Sequence, residues 1–194
     1  MKRVPLYLLL CAATTLVNCQ QSTKSTTPGP GDGSFDKNTY RNDFFGFSYT
    51  LPGEWHKSRV TPSPLPSGAY YLFIGGRDTG HSLLDRVMVV ADPKSKNRSG
   101  IPAAEYLGAF FSAQEAHANA QLIGLMSGFT SGGADFFRAD YKTTINGTTL
   151  YNSMICTERS GYFLSWNFVT PSQQDLDDAV NTIQHVSFDR ASAH

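Results

Sequence analysis

The chain has 194 residues, 16 basic and 16 acidic side chains and 40% hydrophobic residues. With no clustered Lys/Arg stripe to release counterions from a phosphate backbone, composition excludes a nucleic-acid binder, and the length fits one core plus a tail. Three cysteines, two of them within the first nineteen residues, exclude a disulfide-built scaffold.

At the N-terminus Lys2 and Arg3 precede an apolar run from Leu6 to Val17. That run is shorter than the ~20 helical residues a bilayer demands, so residues 1–18 read as a cleaved export signal. Leu16-Val17-Asn18-Cys19 has lipobox order, with Asn18 where Gly, Ala or Ser is usual, and makes Cys19 the candidate lipidation site. Acyl chains on Cys19 would tie the protein to a membrane through ~0.8 kcal/mol per buried methylene. The alternative is an ordinary secretory signal cleaved near Ala12 or Ala13, which leaves a soluble exported protein. Gln20 to Gly33 contains no apolar residue and cannot offset its ordering entropy, so residues 19–37 are assigned to a flexible tether. Residues 38–190 form the single expected domain.

Within that domain Phe45, Phe47, Tyr49 and Leu51 alternate with small or polar residues, which predicts a half-buried strand. Pro52-Gly53 turns the chain, and Glu54 to Val60 is read as a second short strand with Trp55 near the turn. Thr61 to Gly68, carrying Pro62, Pro64 and Pro66, is an exposed loop because proline has no amide to donate to a ladder. Ala69–Ile74 and Arg86–Ala91 are central strands, joined by Gly75 to Asp85. Pro102 then opens a helix in which Ala103, Leu107, Phe110, Gln114 and Ala118 recur at helical spacing. Four strands follow as a meander: Gln121–Thr130, Asp135–Ile145, Thr148–Glu158 and Tyr162–Val169. Gly132-Gly133, Asn146-Gly147 and Ser160-Gly161 supply the positive-φ turns between them. Tyr162, Leu164, Trp166 and Phe168 share one face of the last strand, while Ser165 and Asn167 face a wet or polar surface. Thr170-Pro171-Ser172-Gln173 predicts a second helix capped by Thr170, with Asp175, Asp177 and Asp178 complementing its dipole. Leu176, Ala179, Val180 and Ile183 form its buried stripe, and Val186–Phe188 adds a closing strand or a packed tail.

The chemistry-bearing residues are sparse. His56, His81, His117, His185 and His194 lack the spacing of a metal site, and no P-loop, calcium loop or dinucleotide fingerprint is present. Gly124-Leu125-Met126-Ser127-Gly128 has the wrong spacing for a nucleophile elbow. Cys156 shares a strand face with Leu150 and Met154 and is read as an inert core thiol. The polar run Gly75-Gly76-Arg77-Asp78-Thr79-Gly80-His81-Ser82 is chiefly a hairpin loop, with an anion cup built on its glycines and Arg77 as the sharper alternative. No catalytic residue, metal or cofactor is expected. Contact with a partner is assigned to the two loops, at Pro62, Pro64, Pro66, Arg77 and His81, because recognition concentrates on loops.

The order Tyr40, Asn42, Phe45-Gly46-Phe47-Ser48-Tyr49, Leu51-Pro52 and Trp55 resembles the first strand of PsbP-like domains, where tyrosine and asparagine precede F-G-F/I-x-Y/F-x-x-P-x-x-W. The helix bearing Ala104-Glu105-Tyr106-Leu107, the meander and a last helix ending near Val186-Ser187-Phe188 extend the resemblance over roughly residues 38–189. Among exported bacterial proteins the chain is similar to small DcrB-type and LpqN-type lipoproteins. The resemblance implies an α+β fold, a central antiparallel sheet sandwiched by helices. Plant and cyanobacterial members assist photosystem II and a nuclear import factor shares the fold, so it implies binding more than catalysis. No functional residue carries over, since no photosystem or nucleotide-exchange motif matches here. The expectation is a membrane-anchored, non-catalytic envelope lipoprotein that binds or assists assembly of an envelope protein the sequence does not name. The alternative is a small-ligand or lipid carrier, or a hydrolase, with a pocket lined by Phe110, Tyr162 and Trp166.

Overall fold

A computed structural model of the chain describes residues 27–58, 64–77, 85–95, 100–118 and 120–189. The export signal, Cys19, Pro62 and His81 lie outside the described residues. The described residues form two antiparallel sheets, two α-helices and a short 3₁₀ helix (Thr182–His185). The smaller sheet has the order β1 (Ser34–Asp36), β2 (Thr39–Asn42), β3 (Phe47–Thr50), β12 (Val186–Phe188). The larger begins with β4 (His56–Ser58), β5 (Tyr70–Gly76) and β6 (Arg86–Pro93). It continues through β11 (Tyr162–Thr170), β10 (Thr148–Arg159) and β9 (Ala134–Ile145). β7 (Gln121–Leu122) and β8 (Ser127–Ser131) both pair with β9 at that edge.

The two faces of the larger sheet are covered differently. On one, helix α1 (Ala103–Ala118) sets Ala103 and Leu107 against Ala139, Met154, Cys156 and Phe163, and Tyr106 stacks on Phe163 with ring centroids 4.1 Å apart. On the other, the smaller sheet and helix α2 (Gln173–Asn181) bury Ile155, Leu164, Trp166 and Phe168 beneath Phe47, Tyr49, Leu176 and Val180. The fold is thus α+β around an antiparallel sheet, but a second sheet takes much of the place expected for a helical layer. Of that sheet's strands the sequence reading places β3 and β12 but not β1 or β2, and the assembly of a separate sheet depends on β12 returning to β3, which local periodicity does not encode.

Other differences have local causes. The strand expected from Phe45 starts at Phe47, because Gly46 takes a φ of +61° and closes a turn that buries Phe45. The single strand expected over Gln121–Thr130 is broken between β7 and β8, where Gly124 adopts a φ of +93° and Leu125 is 92% exposed. β1 falls inside the segment assigned to the tether, since Phe35 packs its ring edge-on against Tyr40 and Phe73. The cap of α2 is Ser172, whose Oγ accepts from the Asp175 amide at 3.1 Å. Thr170 instead donates to the Ser172 carbonyl at 2.9 Å. Ser165 is buried while Asn167 is half-buried, donating to Ser165 at 3.1 Å and to the Met88 carbonyl at 3.3 Å, so that face is polar and only partly covered. The Asn146-Gly147 and Ser160-Gly161 turns have positive φ at both residues, as two-residue type I′ hairpins require.

Candidate functional site

The partner-contact loops of the sequence reading lie at opposite ends of β5. Pro64 bridges to Tyr70 at its start, and Pro66 is exposed in the adjoining turn. Arg77 follows its last residue, roughly 20 Å away at strand rise. They are two surfaces, and only the second adjoins a cleft among charged groups.

Three segments build that cleft. Pro52-Gly53 forms a turn closed by the Trp55 amide donating to the Pro52 carbonyl at 2.9 Å, which leaves Glu54 exposed and Trp55 buried. Arg77 is positioned by its own amide donating to the Asp85 carbonyl at 3.0 Å. Such close approach demands glycine just before it: a Cβ on Gly76 would stand 2.6 Å from the same carbonyl oxygen. The third wall is α2, which contributes Asp178, Ala179 and, just past its end, Thr182. The cleft has a volume of about 300 Å³ and is open to solvent.

The site's electrostatics are dominated by carboxylates. Arg77 Nε lies 2.8 Å from Asp85 Oδ2, whereas Nη1 is 3.8 Å from Glu54 and Nη2 is 3.8 Å from Asp175, both beyond hydrogen-bond reach. Asp85 is 5% exposed, and its Oδ1 has no hydrogen-bond partner among the described residues. Burial pushes the Asp85 carboxyl above its ordinary range; Arg77 opposes that rise while Asp175 and Glu54 add to it. Three carboxylates face the one guanidinium, and Asp178 lines the same cleft. An anion cup is therefore disfavoured, and Gly75 and Gly76 lie within β5 rather than in a phosphate-cradling loop. What the arrangement can do chemically is hold positive charge.

The pocket expected from Phe110, Tyr162 and Trp166 is not assembled. Phe110 packs with α1 on one face of the larger sheet, and Trp166 is fully buried on the other between Phe47 and Phe136. Phe110 does line a separate groove of about 320 Å³ with Asp92, Ile101, Glu105, Tyr106 and Ala109, where the Tyr106 hydroxyl donates to Asp92 at 3.0 Å. Cys156 is buried, and its thiol is pushed well above the usual range by that burial. Among the described residues no group of His, Cys, Asp and Glu could hold a metal ion. Glu54, Trp55, Asp85 and Asp178 escaped the sequence reading as site residues because packing, not spacing, brings them together.

Compared with solved structures, the domain superposes on cyanobacterial PsbP (CyanoP) from Synechocystis sp. PCC 6803 with a TM-score of 0.56, covering 78% of this chain and 91% of that one at 12% identity. The fold is PsbP-like. LpqN, involved in cell envelope biogenesis of Mycobacterium tuberculosis, matches with a TM-score of 0.48 at 13% identity, over 84% of this chain and 90% of that one. No protein-family model and no curated protein matches the sequence. At this identity the PsbP-like likeness concerns the arrangement of the backbone, and the Arg77 cleft is described from this chain's own side chains.

Proposed function

We propose that the protein is a non-catalytic binding or assembly-accessory module of the bacterial cell envelope, exported by residues 1–18 and anchored through a lipidated Cys19. The observation that carries the binding reading is a charged cleft at the edge of a tightly buried core. Trp166, Phe136 and Ile155 are fully buried in that core, while the carboxylates of Glu54, Asp85 and Asp175 gather around Arg77 at the domain's edge. A carrier or hydrolase needs an enclosed pocket with convergent polar groups. A docking module needs a rigid frame with recognition groups at its edge, and the turns around Glu54 and Arg77 supply it.

The test is in-cell crosslinking of the tagged full-length protein, followed by mass spectrometry, with Cys19→Ser, Arg77→Ala and a Pro64→Ala/Pro66→Ala variant alongside. A specific envelope protein captured by the wild type and lost with either loop variant supports the module. Capture unchanged in both rules those loops out. Lipidation is checked by detergent phase partitioning: the wild type is expected in the detergent phase and Cys19→Ser in the aqueous phase.

The groove beside Phe110, with its apolar wall and the Tyr106–Asp92 pair, favours a second reading as a carrier of a small apolar ligand. Native mass spectrometry of the purified protein separates the two: a retained small molecule lost in Phe110→Asp would support the carrier.

A further inference from the structure

We propose that β8 is a self-pairing edge: two copies of the chain join antiparallel along Ser127–Ser131 in a two-fold dimer whose larger sheets become continuous. This surface lies apart from the loops and the cleft described above, and the inference goes beyond the binding-module reading. Among the described residues β8 pairs on one side alone, with β9, so the amide and carbonyl of every second residue point outward with no strand to meet them. Edges of this kind are normally guarded by a charge, a proline or brevity. β4 carries Lys57, β1 ends in Asp36 and β7 has two residues. The outer side of β12 meets the β8–β9 turn, where the Phe188 amide donates to the Gly132 carbonyl at 3.4 Å. β8 has no such guard: from Gln121 to Gly133 the chain contains neither a charged residue nor a proline.

The occupant follows from the aromatic pair at the centre of the strand. Phe129 lies directly opposite Phe136 of β9, with ring centroids 5.4 Å apart and planes 13° from parallel. Phe136 therefore covers one face of the half-buried Phe129 ring, and the other face looks outward across the edge. What fits there is a ring on an uncharged extended strand, and β8 is itself such a strand. An antiparallel pair centred on Phe129 sets Ser127 opposite Ser131 and Gly128 opposite Thr130, and it doubles the two-ring stack across the dimer axis. A solvent-open groove of about 340 Å³ beside the strand, bordered by Phe129, Thr130, Ser131, Arg138, Asn181 and Gln184, leaves room for the incoming ring. Arg138, its one charged member, is already held by Asp140 at 2.8 and 2.6 Å, so the groove is neutral like the strand it receives. The same register brings the exposed Leu125 and Met126 of each copy to the Gly132-Gly133 turn of the other, where a Cβ on Gly133 would meet no atom within 4 Å.

The experiment separates monomer from dimer by sedimentation velocity over a concentration series of full-length protein in detergent micelles. The wild type is expected to dimerise reversibly. Gly128→Lys/Thr130→Lys sets like charges opposite one another in both cross-strand pairs and is expected to raise the dimer Kd on the order of tenfold. Gly128→Glu/Thr130→Lys sets opposite charges there and is expected to restore the dimer, both variants keeping the wild-type circular dichroism spectrum. Under mild oxidation Gly128→Cys/Thr130→Cys is expected to form a disulfide-linked dimer above the wild-type level, and neither single variant to do so, because only this register makes the two positions face each other. A monomer at every concentration, an unaltered Kd in the two-lysine variant, or equal crosslinking by a single cysteine variant overturns the proposal. A monomeric wild type whose capture of an envelope protein is lost in the two-lysine variant overturns it in favour of a strand from that partner. If self-pairing fails while loop-dependent capture persists, the β8 assignment falls and the module reading stands. A dimer without any captured partner separates them the other way.

Discussion

At the scale of single residues, Asp85 concentrates the tension of the site. Its folded-state carboxyl holds a proton more tightly than an unfolded aspartate, first because it is buried and then because Asp175 and Glu54 oppose Arg77. A group whose pKa rises on folding makes the native state bind more protons than the unfolded state. Its contribution to stability is therefore fully present at low pH and is lost as pH climbs from about 4 through the raised value. Asp85→Asn removes that dependence while Arg77 keeps Glu54 and Asp175 nearby. The expected outcome is a variant whose urea midpoint gains on the wild type between about pH 4 and pH 7; a constant difference would contradict it. None of this was legible in the sequence, where Asp85 was only the last residue of a loop. Arg77 was singled out there for its polar neighbours, but the carboxylates facing it come from residues 54 and 175, far away along the chain. Cys156 was legible, because a face shared with Leu150 and Met154 already implied burial.

Among the elements, the hairpins of the meander were the most readable, since Asn146-Gly147 and Ser160-Gly161 carry the one chemistry that tolerates positive φ at consecutive positions. The start of α2 was less so. Thr170 and Ser172 are both capping residues by type, and only the tertiary structure separates them: Thr170 is fully buried at the end of β11, with its hydroxyl near the Tyr151 and Ser172 carbonyls. Ser172 is left to meet the Asp175 amide, and Asp175 in turn accepts from the Ser172 hydroxyl. Ser172→Ala is expected to destabilise the protein by about 1 kcal/mol, measured by urea unfolding, and to speed hydrogen exchange at the Asp175 amide. Loss of stability without faster exchange there would place the effect elsewhere. The break between β7 and β8 was hidden because Leu122, Ile123, Leu125 and Met126 look like strand residues in composition; Gly124 was the one local signal, and its φ depends on how β9 pairs with both pieces.

For the molecule as a whole, Phe47 joins the two sheets. It stands in β3 of the smaller sheet, yet its ring meets Trp166 of the larger one edge-on at 5.6 Å and also touches Tyr40 and Phe188. Phe47→Ala is expected to cost about 3–5 kcal/mol and to leave a single unfolding transition, with circular dichroism and tryptophan fluorescence coinciding. Two separated transitions would mean that the sheets are independent folding units. The sequence foretold that Phe47 would be buried but not that it would face a second sheet, because the partner strand β12 arrives from the far end of the chain. Val186 lies opposite Tyr49, and β6 meets β11 across the whole of α1 and the meander. A polypeptide appearing N-terminus first thus finishes neither sheet until its last strand is available, and pairings of such long range form slowly. While it is being synthesised, the smaller sheet stays open until β12 has emerged long after β3, its partner.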